Sequence, residues 1–146
     1  MKSHWLIDTH IWIWYGMRNP KLGAAARELI ERSVQEGGLA VSIMTLWEIS
    51  LLESKERIHL GMTAAEWLEE ALALPNLMAL PLELPAILDA HRLPGIFHAD
   101  PADRLIVATA RHHNLTLITD DRKILDYANQ GYLRAYASNN KELLKT

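Results

Sequence analysis

His98-Ala99-Asp100-Pro101-Ala102-Asp103-Arg104-Leu105-Ile106-Val107-Ala108, followed shortly by Leu115-Thr116-Leu117-Ile118-Thr119-Asp120-Asp121, carries the pattern on which the fold turns. Asp100 is a helix-capping residue type, Pro101 suits a first helical position and Asp103 puts an acid in the first turn, so a helix is expected over Pro101–His113. Leu115–Ile118 is a short apolar run that reads as a buried strand ending on two acids. The same alternation fills the chain. Strands are expected at His4–Ile7, Leu39–Ser42, Leu77–Leu80, Leu115–Ile118 and Leu133–Tyr136. Between them, Ala24–Glu36, Thr45–Ser54, Ala64–Leu74, Ala86–Leu93 and Lys123–Gln130 place apolar residues at three- and four-residue spacings, as helices do, and a further short helix is expected from Thr9. Gly37-Gly38, Leu93-Pro94-Gly95 and Asn129 to Gly131 supply stops and turns, and Ser138–Thr146 reads as a tail that frays or forms one last turn. Strands alternating with helices specify the α/β class, with a mainly parallel five-stranded sheet between helical layers.

With 146 residues and 49% hydrophobic content, the chain is expected to form a single domain over residues 1–146 with a full core. It contains no cysteine, which excludes a disulfide framework and a thiolate zinc site and makes a reducing cytoplasm the expected compartment. Met1 to Ile7 shows no apolar signal-peptide core, and no uncharged stretch is long enough to span a bilayer, so no membrane partner is expected. A formal net charge of -3 gives no global attraction to nucleic acid, so a polyanionic partner needs a local basic patch.

Asp8, Glu48, Asp103 and Asp121 are far apart in sequence, yet each lies at a strand end or a helix start. Each has a purely structural explanation. Thr45-Leu46-Trp47-Glu48 fits a capping box, Asp100 and Asp103 fit the start of one helix, Asp120 and Asp121 the start of another, and Asp8 can open the helix at Thr9. Together they suggest something more. In an open parallel sheet the strand ends converge on a crevice where ligands bind. Four carboxylates there repel one another unless a hard divalent cation such as Mg²⁺, or alternatively Mn²⁺, neutralises them. A metal-dependent hydrolase is the chemistry that follows.

Ile7-Asp8-Thr9-His10, Leu46-Trp47-Glu48-Ile49, His98 to Ala108 and Leu117 to Asp121, in that order, closely resemble the PIN-domain ribonucleases, in particular the VapC-type toxins of bacterial toxin–antitoxin modules. The resemblance runs from the first strand through Tyr136. It implies a PIN-like three-layer α/β/α fold and a Mg²⁺- or Mn²⁺-dependent endoribonuclease whose acidic set falls on Asp8, Glu48, Asp103 and Asp121. It also implies a cognate antitoxin that covers a groove beside the acids. The family's T-x-D ending maps to Thr119 and Asp121. Relatives often read His-Arg-Asp-Pro where this chain has His98-Ala99-Asp100-Pro101, which affects an arginine at that variable place and not the acids. Asp8 and Asp103 are expected to bind metal directly, with Glu48 and Asp121 binding a second ion or orienting metal-bound water. Thr9 and Thr119 are expected to support the ligands, and His98, Asp100 and Arg104 to support them or contact substrate.

Substrate contacts are less sharply specified. Arg104, Arg92, Arg122 and Lys123 lie near the acidic segments and could form a basic rim for RNA phosphates, with Arg104 equally readable as a surface or ion-pairing residue. His10 and His98 could touch RNA or shuttle protons, although histidines near a polar cleft are more often hydrogen-bonded bystanders. Trp12, Trp14 and Tyr15 read as a buried helix face or a subunit contact, the latter consistent with a homodimer, and Trp47, Ile49, Leu51, Leu52, Trp67, Leu68 and Leu72 read as core. Any of this surface left exposed would accept an amphipathic partner segment. Two other layouts fit poorly. A phosphoryl-accepting receiver needs an Asp ending the third strand, where the chain has Leu80-Pro81, and an aspartate-nucleophile phosphatase needs an acid where His10 stands. The serious alternatives are a non-catalytic PIN-like interaction module whose acids only cap helices, and a housekeeping single-strand nuclease.

Overall fold

The three central strands are short apolar runs buried on both faces. The computed structural model describes residues 4–145. In chain order it runs β1 (Trp5–Ile7), α1 (Thr9–Gly16), α2 (Ala24–Glu36), β2 (Leu39–Ser42), α3 (Ile43–Ser54), α4 (Ala64–Leu72), β3 (Leu77–Leu80), α5 (Leu84–Ala90), α6 (Pro101–His112), β4 (Thr116–Ile118), α7 (Arg122–Asn129) and β5 (Ala135–Tyr136), then a 3-10 turn at Lys141–Leu144. The five strands are ordered β3-β2-β1-β4-β5 and every pairing is parallel. Neighbouring residues of one strand face opposite sides, as the pleat requires. Leu6, Ala40 and Leu117 join the core beneath α5, α6 and α7. Ile7, Leu39, Val41 and Ile118 join the one beneath α1, α2 and α4. This is the expected α/β/α sandwich.

Chain order and strand order together locate the site. From the central β1 the chain moves outward to β2 and β3, then returns to the other side of β1 to lay down β4 and β5. The loops leaving β1 and β4 therefore part in opposite directions, which opens a crevice at the strand ends. Asp8 follows β1 there, and Thr119 to Asp121 follow β4.

Several boundaries differ from expectation. Helix α3 begins at Ile43, capped by Ser42, whose Oγ accepts the Met44 N–H at 3.0 Å. Thr45 is thus inside the helix and the expected Thr45–Glu48 capping box does not exist. A cap of that type is found on α4, where Thr63 Oγ1 accepts the Glu66 N–H at 3.1 Å. Helix α5 starts two residues before the expected Ala86, with Pro85 in its first turn, and ends at Ala90. Leu93 cannot easily extend it, since the residue before Pro94 is driven from helical torsions. Strand β5 is only Ala135–Tyr136, shorter than expected. The tail is tied down by Leu143, fully buried against α2, while Thr146 lies outside the described residues. No helix among the described residues is long and apolar enough to cross a membrane.

Candidate active site

A cleft of about 350 Å³ opens at the strand ends and is lined by five carboxylates, those of Asp8, Glu48, Asp100, Asp103 and Asp121, with Thr9, His10, Ile13, Trp14, Leu52 and Ile58 completing its wall. Among the described residues, no lysine or arginine lines it.

Three of the acids are fixed by helix starts. Asp8 caps α1, its Oδ1 accepting the Thr9 N–H at 2.8 Å. Its Oδ2 accepts from Thr119 Oγ1 at 2.8 Å, and the same hydroxyl accepts the Asp121 N–H at 3.0 Å. Thr119 therefore holds two acids of the cleft in register. Asp121 caps α7 through Oδ1, which takes the N–H groups of Lys123 and Ile124, so these contacts all fall on one oxygen. Asp100 caps α6 by accepting from Ala102 and Asp103 N–H at 2.9 and 3.3 Å.

Glu48 and Asp103 are held differently. Thr9 Oγ1 donates to Glu48 Oε1 and lies 3.1 Å from Thr45 Oγ1. A hydroxyl has one proton, so with Thr9 donating to Glu48 it is Thr45 that donates to Thr9. Burial raises the Glu48 pKa first, opposed by the Thr9 hydrogen bond and reinforced by the charges of Asp8 and Asp100. Asp103 is pushed up to about 8, again by burial first and then by Asp8, Asp100, Asp121 and Glu48. His98 Nε2 sits 3.1 Å from Asp103 Oδ2, yet this buried nitrogen makes no hydrogen bond.

Such a site fits a hard cation. Each carboxylate oxygen has two lone pairs, so those already accepting an N–H can still coordinate. Mg²⁺ takes only one or two carboxylates and keeps several waters, so it does not need the acids to be packed tightly together. It would also replace the proton that the local field drives onto Asp103.

The remaining expected residues divide. Thr9, Thr119 and Asp100 touch the site as described, and His98 faces Asp103. Arg104 faces away: its Nε donates to the Ala90 carbonyl at 2.8 Å, and one terminal nitrogen to the carbonyls of Phe97 and His98 at 2.9 and 3.0 Å. It braces the loop between α5 and α6 instead of facing the cleft. Arg92, Arg122 and Lys123 are exposed outside the walls. His10 Nε2 accepts the Asp120 N–H at 2.9 Å, which leaves the proton of the neutral ring on Nδ1, 3.7 Å from Asp8 Oδ2. Trp12 is buried and meets Trp67 edge-on at 5.3 Å, but Trp47, expected in the core, is 55% exposed.

Two supporting residues were not foreseen. Asp120 accepts the Ser138 N–H at 2.7 Å and its hydroxyl at 2.6 Å. Ser138 in turn accepts from Gly23 N–H through Oγ at 2.8 Å. A Cβ on Gly23 would fall 2.4 Å from the Ser138 backbone, so only glycine allows this approach. The acidic doublet Asp120-Asp121 was the one available signal, and its two members do unlike work.

Comparison with known proteins agrees with this geometry. A family model described as PIN domain matches residues 5–130. Ribonuclease VapC22 of Mycobacterium tuberculosis (strain ATCC 25618 / H37Rv) is 34% identical over 119 residues, covering 82% of this chain and 88% of that protein. The crystal structure of VapBC2 from Rickettsia felis bound to a promoter DNA fragment aligns at a TM-score of 0.69 and 17% identity, covering 92% of this chain and 98% of that one. PAE2754 from Pyrobaculum aerophilum aligns at a TM-score of 0.63 and 17% identity, covering 99% and 96%. At those identities the structural likeness speaks for the fold alone. The match over residues 5–130, together with the relation to VapC22, shows that the chain belongs to the PIN-domain family.

Proposed function

We propose that this chain is a divalent-metal-dependent endoribonuclease, the toxin of a toxin–antitoxin pair, and that Asp8, Glu48, Asp103 and Asp121 hold the metal, preferentially Mg²⁺. The observation that carries the reading is the cleft itself: five carboxylates with no lysine or arginine among the described residues of its walls. A bound divalent cation supplies an activated water and neutralises the phosphoryl charge that develops during phosphodiester hydrolysis. The chain's residues hold and orient. Thr119 fixes Asp8 relative to Asp121, and Thr9, itself held by Thr45, aims Glu48. Leu52, Ile58 and Ile13 make one wall apolar, which strengthens the electrostatics beside it.

The alternative of a scaffold whose acids only cap helices is not favoured, because Glu48 and Asp103 cap nothing in the described hydrogen bonding. The relation to Ribonuclease VapC22 supports RNA as substrate, and the VapBC complexes among the structural neighbours support an antitoxin partner. Exposed Ile43 and Trp47 on α3, next to Glu48, give such a partner an apolar place to bind, and Leu84 and Leu88 on α5 give a second copy of the chain another. We place the protein in the cytoplasm, with its substrate.

Single-stranded RNA incubated with the purified chain tests the reading. Cleavage should need Mg²⁺ or Mn²⁺, stop with chelator, and fall on the order of 10²-fold or more in Asp8→Asn and Asp103→Asn. Undiminished cleavage by both folded variants at limiting metal would refute the site.

A further inference from the structure

We propose that Glu83, His112 and His113 form a second metal site, separate from the acidic cleft, for a borderline transition-metal ion of the Zn²⁺ class. His112 ends α6 and His113 is its C-cap. Their rings meet edge-on, with centroids 4.7 Å apart. Both Nε2 atoms converge on one carboxylate: that of His112 lies 3.5 Å from Glu83 Oε2, and that of His113 lies 3.4 Å from Oε1. Ligand atoms of the three residues all lie within 4.8 Å of one another, the one such group of three or more among the described residues. In a tetrahedral zinc site with bonds of about 2.0–2.2 Å, neighbouring ligand atoms are about 3.4 Å apart. The two imidazole–carboxylate separations already have that value.

Two of the groups lack the hydrogen bonds their positions offer, among the described residues. His113 Nε2 is buried and makes no hydrogen bond, an arrangement that costs stability unless something occupies its lone pair. Glu83 stands at the N-cap of α5, yet its carboxylate caps nothing. Helix α6 points its carbonyl end at the cluster, and a helix C-terminus favours a cation. Two imidazoles with one carboxylate suit Zn²⁺ and its neighbours, whereas the oxygen-only cleft suits Mg²⁺. His112 is nine residues beyond Asp103 on the same helix, about 14 Å along its axis, so the two sites do not share ligands. The ion would tie α5 to α6, which Asp89–Arg111 and Ala90–Arg104 already join.

The test titrates untagged, chelator-treated protein with Co²⁺ in the presence of saturating Mg²⁺, following the visible absorption of tetrahedral Co²⁺ and its loss when Zn²⁺ is added. One equivalent should bind. His113→Ala and Glu83→Gln should each weaken binding more than about 10-fold, the loss that even an outer-shell partner of a metal ligand causes. Asp8→Asn should leave it unchanged. Circular dichroism checks that each variant is folded, and His112→Gln, at a more exposed position, replaces His113→Ala if that chain does not fold. Absence of Co²⁺ binding under Mg²⁺, or binding that survives the histidine variants but is lost in Asp8→Asn, would overturn the proposal. Neither result bears on RNA cleavage.

Discussion

Replacing Asp103 by asparagine should stabilise the metal-free protein at alkaline pH while it disables the site. Burial among four other carboxylates raises the Asp103 pKa from 3.8 to about 8. Between those values the folded chain keeps a proton that the unfolded chain has released, so stability is lost as pH rises through this window. At about 1.4 kcal/mol for each tenfold change in proton affinity, the ceiling is about 5 to 6 kcal/mol. The side chain is 16% exposed, and solvent screens the surrounding charges, which brings the expected loss to about 2 to 3 kcal/mol. Asparagine does not ionise and should remove that part of the slope. Urea unfolding in chelator at several pH values between about 5 and 9, for both proteins, measures the difference. Glu48, also raised, is coupled to Asp103 only in the wild type, so the difference between the two proteins reports the pair. Adding Mg²⁺ should reverse the wild-type trend, since the cation favours the ionised carboxyl, and leave Asp103→Asn nearly unchanged. Parallel pH slopes for the two metal-free proteins would refute the reasoning.

Other substitutions separate support from chemistry. Glu48→Gln keeps an oxygen for the Thr9 hydroxyl but loses the charge, so unfolding midpoints should stay put while RNA cleavage falls about 10²-fold. Asp120→Ala removes both acceptors of Ser138 and should cost about 1–3 kcal/mol in denaturant unfolding, with Mg²⁺ affinity by calorimetry retained. Arg104→Ala releases the carbonyls of Ala90, Phe97 and His98. It should speed hydrogen exchange across residues 91–100 and lower stability at every salt concentration, whereas a phosphate-binding arginine would show its effect as salt-dependent RNA affinity.

The strands were legible because buried parallel strands are short apolar runs, and those around Leu6, Val41 and Leu117 admit no other reading. The start and the buried face of helix α3 were not, for two reasons. Ser42 and Thr45 are both capping types, and the choice between them is tertiary: Thr45 is needed in the interior against Thr9. Its apolar residues also surround the helix, so the sequence has no stripe to mark the buried face. Ile49 is fully buried and Trp47, two residues earlier, faces solvent. Arg104 was misjudged because adjacency to Asp103 along the chain says nothing about direction. Successive helical side chains diverge by about 100°, and this one found three carbonyls behind the cleft.

The acids were legible for the very reason that made them ambiguous. A carboxylate at a helix start satisfies backbone N–H groups, so each of Asp8, Asp100 and Asp121 has an adequate structural reason to be where it is. What no capping argument accounts for is their company. Glu48 and Asp103 receive no backbone donor in the described hydrogen bonding, are half-buried beside the other three, and are both driven toward the protonated form. A scaffold would gain by replacing them with neutral residues, since burial and the neighbouring charges disfavour the ionised form of both and an amide would not carry that cost. Retaining two titrating carboxyls against three fixed ones makes physical sense where a divalent cation can displace the protons. In the proposed metal site the helix starts would serve as a rigid frame, and Glu48 and Asp103 as its adjustable members.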